Sequence, residues 1–442
     1  MTHTLIYPQT AEHNAAGHLG IGGYDVVELC ERFGTPLFIY DEAMLRAQCG
    51  AYLAAFRGLV DEFEVVYASK AFSCRAMCEL VVEEGLSLDV ASGGELAAAK
   101  LAAVPPERIY FHGNNKTPAE LALAFDYGIG HFVVDSFEEL AMLDAETRAR
   151  GARQRVLLRL TPGVLPDTHS AVQTGQQDSK FGFGLGDGLA DEAVAQALAA
   201  PNLELVGVHA HIGSQIFDLL TYRRTIEVLV GALAAWRDKF GFSCSLLNIG
   251  GGLAIRYTPV DQPSSIAEFA AVAVDAIRGE VARHGLPMPR ILVEPGRSIA
   301  GKAAVTAYRV GVVKVIPGVR TYVAVDGGMS DNIRPMLYGA RYEAMLANKA
   351  DVAATVEVTV AGKHCESGDV LVRDVKIAPP ESGDILVTPS TGAYGYAMAN
   401  NYNGQPRPAV VLVRDGRARV VIERETWDDV LRLQRPLHGQ GR

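Results

Sequence analysis

A lysine, a histidine pair, a glutamate and a triple glycine each close a short apolar run in the first two thirds of the chain. The run FEVVYASK ends on Lys70. An ammonium group inside a fold is costly unless it is paired or gives up its proton. A lysine amine with a lowered pKa can condense with an aldehyde cofactor and exchange it onto an incoming amino acid. A lysine that snorkels to solvent is the plainer alternative. EPGR places Glu294 at the end of another run, where a carboxylate facing a pyridine nitrogen would keep that ring protonated and make it a strong electron sink. An arginine there would leave the ring neutral, and a salt bridge between Glu294 and Arg297 is the structural alternative. Gly250–Gly252 with Ser214 of HIGS offers backbone amides and a hydroxyl to a phosphate group. Tight turns explain most glycine runs, so the weight falls on their place just before the last strand, where barrel phosphate sites are common.

His209 and His211 lie two apart on one strand and share a face, as a metal pair would. No other His/Asp set at the strand ends completes a ligand shell, so no metal is expected. A flat imidazole stacked on a cofactor ring accounts for His211, and His209 reads as a satisfied interior residue. Farther on, HCESGD (364–369) brings a thiol and two carboxylates to a glycine turn, and Cys365 there could act as a proton donor, since a thiol cycles to thiolate near a cation. Cys74 and Cys78, one helical turn apart, read as core packing.

These residues need elements to bring them together. Short β-rich runs cover 63–70, 86–92, 108–115, 131–136, 155–163, 203–215, 246–252 and 290–297, with helix-like stretches at 73–84, 94–103, 118–127, 137–150, 219–240 and 266–284. Strand and helix alternate about every 33 residues, which predicts a (β/α)8 barrel whose strand ends converge at one mouth. Lys70, Asp89, His112, His211, Gly250–Gly252 and Glu294 would meet there. An open doubly wound sheet is the alternative, weakened by the lack of a first-strand GxGxxG and by polar motifs at nearly every strand end. After about Ala303 short strands follow without long helices, predicting a mostly β domain that the first 38 residues join. The expected domains are therefore 39–302, the barrel, and 1–38 with 303–442. The link Gly163–Gly184 reads as a mobile functional loop, and residues 8–20 and the tail after Pro436 as loose.

The chain has 442 residues, 49% of them hydrophobic, and a net charge of −10. That length accommodates two domains. The absence of a Lys/Arg block argues against a nucleic-acid partner, and the absence of a long apolar run against a membrane span. No leader pattern opens the chain, and the six cysteines have no ligand-like or disulfide rhythm, so a cytoplasmic location is expected.

Taken in order, YASKA, LDVASGGEL, HIGSQ, NIGGG, EPGR, DGGMSDNIRPMLYGA, CESGD and GAYGYAMANNYN resemble the diaminopimelate decarboxylases, in the alanine racemase-like (fold type III) group of pyridoxal 5′-phosphate enzymes. The resemblance spans about residues 20 to 430. One departure is AFSC after the lysine, where many members carry an asparagine, a subfamily variation. The resemblance implies a homodimer whose active sites lie between one subunit's barrel and the other's β domain. It implies that Lys70 carries pyridoxal phosphate, His211 stacks on its ring, Glu294 binds the ring nitrogen, and Asp89 orients groups near the lysine. Ser214, Gly251, Gly252, Gly296 and Tyr394 would surround the phosphate, with Arg297 close by. It assigns substrate recognition to Arg297, Arg334, Tyr338, Tyr394 and Glu366, and the proton donor to Cys365, with Cys365 and Glu366 supplied by the partner subunit.

The reaction so implied is loss of carbon dioxide from meso-2,6-diaminopimelate to give L-lysine, the last step of lysine biosynthesis. An arginine fork gripping the distal carboxylate and Glu366 pairing with the distal ammonium would suit that substrate. A fold type III decarboxylase of arginine, ornithine or carboxynorspermidine is the nearest rival. A racemase is disfavoured by Glu294, and a non-catalytic relative by the presence of both Lys70 and Cys365.

Overall fold

The computed structural model describes residues 5–164 and 179–438. Most of the Gly163–Gly184 link and the last four residues lie outside the described residues. The chain divides into two units, one of Arg46–Ile255 and Asp261–Ile299, the other of Met1–Leu45, Arg256–Val260 and Ala300–Arg442.

In the first unit eight strands run β1 (Phe63–Ala68), β2 (Ser87–Val90), β3 (Ile109–Phe111), β4 (His131–Val134), β5 (Gln154–Thr161), β6 (Leu203–Ala210), β7 (Leu246–Asn248) and β8 (Arg290–Val293). Each pairs in parallel with the next, and β8 returns to β1 through Ile291↔Phe63 and Val293↔Val65, so the sheet closes into the expected barrel. Helices cover the outside, which is why these strands are nearly continuous apolar runs. The interior is plugged by Val66, Tyr110, Val133, Leu157, Val206 and Leu292, with Leu246 against them.

Polar residues beyond the strands start the helices. Ser92, Thr117, Ser136 and Ser265 accept the third backbone N–H of the helices Gly93–Leu101, Pro118–Tyr127, Phe137–Ala149 and Ile266–His284. Each such cap stabilises its helix by about 1 kcal/mol. Helices not foreseen from sequence include Glu42–Arg57 before β1 and Leu189–Ala199 before β6. The far end of the 163–184 link is also ordered: Phe183–Gly184 adds to β5 through Phe183↔Leu160 and Gly184↔Thr161.

The second unit is built on the long strand Ala304–Ile316. Its first half pairs with Leu37–Asp41 and Ile385–Pro389, and its second half with Arg320–Val325, with a register shift between Val310 and Val312. Val356–Ala361 and Val370–Ile377 extend one side, and Ala409–Arg414 and Arg417–Ile422 the other. Leu37–Asp41 is held between Ala304–Ala307 and Ala409–Val413. Because that strand is paired on both edges here, the division falls after Leu45 and Ile299 rather than after Phe38 and Lys302. Residues 8–20, expected to be loose, take part in a small antiparallel sheet of Glu12–His13, Leu19–Ile21 and Tyr24–Asp25. Ile6, Leu19 and Ile21 bury against Leu37, Ile39 and Val411, which fixes the segment.

Candidate active site

Side chains alternate faces along a strand, so the residue two beyond an interior apolar residue points inward one layer higher. Applied to the barrel plug, this lifts Tyr110 to His112, Val133 to Asp135, Leu157 to Arg159, Leu246 to Asn248 and Leu292 to Glu294. All five are buried, and together they form a polar layer over the apolar one at the carboxyl ends of the strands. Lys70, His211 and the Gly250–Gly252 turn follow β1, β6 and β7 at the same end.

Glu294 is the centre of this layer. Its Oε1 accepts from Asn248 Nδ2 at 2.7 Å and its Oε2 faces His209 Nε2 at 3.1 Å. His112 Nε2 stands 2.9 Å from Oε1 without hydrogen-bond geometry, and 3.9 Å from Asp89 Oδ1. Burial alone would raise the Glu294 pKa, but His112 and His209 outweigh it and hold the group well below the usual carboxylate range. Asp89 is shifted the other way by burial, opposed by His112 and, more weakly, Lys70. Burial pushes the His209 ring down to about 4, so it is neutral. His211 is also lowered, by burial and then by the positive charges of Lys70 and Arg159.

Of the two readings open for Lys70, the solvent-reaching one describes its side chain here. It is exposed, because it stands past the end of β1 on the turn Ser69–Ala71. It nonetheless acts electrostatically on Asp89, Glu95 and His211, which places its charge in the mouth.

Arg297 turns to Ser214, donating from Nε at 3.1 Å and Nη2 at 2.9 Å to Oγ. Glycine is required in the turn after β7: a Cβ on Gly251 would lie 2.0 Å from Glu294 O, and Gly252 has φ +106° with a Cβ position 2.3 Å from Gly213 O. The Gly251 N–H points to His211 Nδ1 at 3.3 Å, and Gly296 packs on Ala68 and Ala71 of the lysine strand and turn. The barrel thus brings together Lys70, Asp89, His211, Ser214, Gly251, Gly252, Glu294, Gly296 and Arg297.

Sequence reading missed Asn248, Arg159 and the role of His209 as a partner of Glu294. Arg159 lies 3.7 Å from Asp135 Oδ1 and 4.2 Å from the centre of the Phe181 ring. An arginine in the middle of RVLLRLTPG was the available signal.

The remaining candidates are in the β unit. Arg334 opens the short helix Arg334–Tyr338 and is buried, its guanidinium 4.6 Å over the Tyr257 ring and bonded to the Tyr342 hydroxyl. No carboxylate pairs with it among the described residues. Tyr338 is half-buried on the same helix, and Tyr394 takes a left-handed backbone (φ +61°). Cys365 and Glu366 are exposed on their own turn, where Cys365 N–H donates to Asn403 Oδ1 at 3.0 Å.

His112, His209 and Glu294 bring possible metal ligands within 4.8 Å of one another. The amide N–H of Asn248 aimed at Glu294 Oε1 does not suit a cation there. The donor set fits pyridoxal phosphate instead: a buried anion for a protonated ring nitrogen, a lysine amine across the mouth, and glycine amides beside a hydroxyl and an arginine for the phosphate.

The closed barrel and this site define a pyridoxal-dependent decarboxylase. The family described as pyridoxal-dependent decarboxylase, pyridoxal binding domain, matches residues 43–301. The diaminopimelate decarboxylase of Bacillus subtilis is 49% identical over 427 residues, covering 97% of each chain, and that of Mycobacterium tuberculosis is 44% identical over 438 residues, again 97% of each. The crystal structure of diaminopimelate decarboxylase from M. jannaschii superposes with a TM-score of 0.90 at 35% identity, covering 97% of this chain and 99% of that one. The chain belongs to the diaminopimelate decarboxylase family, and its cofactor is pyridoxal 5′-phosphate.

Proposed function

We propose that the chain removes carbon dioxide from meso-2,6-diaminopimelate to give L-lysine, working as a cytoplasmic homodimer. Among the described residues no helix is long and apolar enough to cross a membrane. Bound at the barrel mouth, pyridoxal phosphate supplies an electron sink for the charge left when carbon dioxide departs. Lys70 would hold it through its amine. Glu294 would stay an anion for the ring nitrogen, His211 would pack against the ring, and Asp89 would orient the lysine end. Ser214, Gly251, Gly252, Gly296 and Arg297 hold the phosphate, and Tyr394 is assigned to the same task.

The observation that carries the choice of substrate is the buried guanidinium of Arg334 with no carboxylate partner among the described residues. Such a group needs an anion, and a distal carboxylate presents two oxygens to its fork. Arg334 and Tyr338 would therefore grip the far end of diaminopimelate and fix the orientation of its reacting end. Lysine, ornithine and arginine would leave Arg334 unpaired. The partner subunit's Glu366 pairs with the distal ammonium, and the partner subunit's Cys365 delivers the proton; the exposure of both on a single chain supports that assignment.

Cofactor-loaded protein offered meso-diaminopimelate, lysine, ornithine and arginine separately should release carbon dioxide from diaminopimelate alone, with lysine as product. Release from one of the other three would overturn the assignment of Arg334.

A further inference from the structure

A carboxylate as buried as Glu294 would ordinarily take up a proton, and a neutral carboxyl group could not pair with a protonated ring. Beside the nearby His112 ring, two side chains that hydrogen-bond to the carboxylate oppose this, each for a reason visible in its other contacts. Asn248 Oδ1 accepts the Gly250 N–H at 2.9 Å, so its amide must present NH2 to Glu294 Oε1. His209 Nε2 meets Glu294 Oε2, an atom that can only accept, so the ring proton is on Nε2; the buried Nδ1 has no partner among the described residues. The register makes these two a pair. His209 and Asn248 are opposite one another across β6 and β7, and Asn248 is opposite Leu292, two residues before Glu294 on the same face.

We propose that His209 and Asn248 are positioning residues for Glu294: their two donors hold it as an anion aimed into the barrel mouth, leaving the proton on the cofactor ring nitrogen rather than on the carboxylate. The inference rests on the reading that Glu294 faces that nitrogen. In a hydrogen-bonded acid–base pair the proton stays with the stronger base, and each donor to a carboxylate weakens it as a base. An ionised carboxylate offers about four lone-pair sites, so acceptor capacity remains for the ring. The other groups around Glu294 are His112 after β3, Asp89 on β2, Arg159 on β5, and Lys70 and His211 at the mouth. Asp89 opposes the anion, and His112 and Arg159 support it. His209 contributes as a neutral donor, since burial keeps its ring uncharged. A retained ring proton is what makes the ring a strong sink, so these two residues act on the reaction without touching substrate.

The test uses His209→Phe, which keeps a ring and loses the donor, and Asn248→Asp, which keeps the acceptor for Gly250 and turns the donor into an acceptor. Glu294→Gln is the reference. Protein stripped of cofactor is titrated with pyridoxal phosphate, and the absorbance spectrum of the bound form is recorded across the neutral pH range. Both variants should bind about tenfold more weakly or worse, with bound spectra displaced toward that of Glu294→Gln. His209→Gln, which retains an N–H donor, should recover most of the loss, a rescue that a packing role would not produce. Wild-type affinity and spectrum in Asn248→Asp would overturn the inference, and that isosteric variant decides the matter if His209→Phe does not fold. If Glu294→Gln leaves affinity and spectrum unchanged, the placement of Glu294 at the ring fails. If it alters them while the two variants do not, only the role of His209 and Asn248 fails.

Discussion

His364 Nδ1 lies 2.9 Å from Asp369 Oδ2, with both side chains almost wholly buried, at the base of the turn whose exposed tip carries Cys365 and Glu366. Asp369 also accepts the backbone N–H of His364 at 2.9 Å and of Met329 at 2.6 Å, tying the turn to the DGGMSD segment. Asp369→Ala would leave these donors buried without partners and should cost about 3 kcal/mol. The denaturant midpoint should fall, and kcat with it, because Cys365 and Glu366 lose their support. An unchanged midpoint would show that the turn does not depend on Asp369.

Arg334→Ala should act on selection more than on chemistry. If the guanidinium holds the distal carboxylate, kcat/KM for diaminopimelate should fall at least about a hundredfold, through a raised KM more than a lowered kcat. Arg334→Lys should recover little, since an ammonium is a point charge without the planar fork and stacks poorly over Tyr257. A loss confined to kcat, with KM unchanged, would remove Arg334 from recognition of the distal end.

The barrel was legible because its strands are buried on both faces and end in polar residues, a pattern that local sequence carries in full. The helix Leu189–Ala199 was not, because it starts at Gly188 in a left-handed conformation with no capping side chain, and so has no start signal. Residue types in the site were legible one by one: Lys70, His211 and Glu294 each stand at a strand end. Their pairing was not. That His209 and Asn248, 85 and 46 residues before Glu294, become its partners depends on the register of β6, β7 and β8. The sequence left Lys70 open between a buried and a solvent-reaching lysine, and its exposure depends on the turn at Ser69–Ala71, which three residues of sequence do not distinguish from one more step of strand. Arg159 was passed over for a related reason: its face is known only once Leu157 is known to point inward.

Beneath the mouth, Lys116 Nζ donates to Glu139 Oε1 at 2.7 Å and to Gly113 O and Val133 O at 2.9 and 2.8 Å. Both side chains are almost fully shielded from solvent, and Glu139 Oε2 accepts the Asp135 N–H at 3.0 Å. This ties the loop after β3 to the end of β4. Removing one partner leaves a buried charge uncompensated, so Lys116→Met should cost about 3–5 kcal/mol. Lys116→Met combined with Glu139→Gln should be less destabilised than the sum of the two single changes, as measured by urea unfolding. Strict additivity would mean that the pair contributes no coupling.

In the β unit, Glu425 faces Arg407 along both of its oxygens: Oε1 accepts from Arg407 Nε at 2.7 Å and from Nη2, while Oε2 accepts the Arg407 backbone N–H at 2.9 Å and Asn401 Nδ2 at 2.7 Å. Partial burial would raise the carboxyl pKa, but these donors bring it down from 4.5 to about 2. A carboxylate whose pKa is lower in the folded state contributes stability that is complete above its unfolded pKa and is lost as pH falls toward its folded one. The contribution of Glu425 should therefore be intact above pH 4.5 and decline between 4.5 and about 2. Glu425→Gln keeps the shape but has no charge to neutralise, so its unfolding free energy, followed by denaturant titration at a series of pH values, should fall less steeply than wild type across that window. Parallel slopes would show that the Arg407 fork does not favour the ionised form in the folded protein.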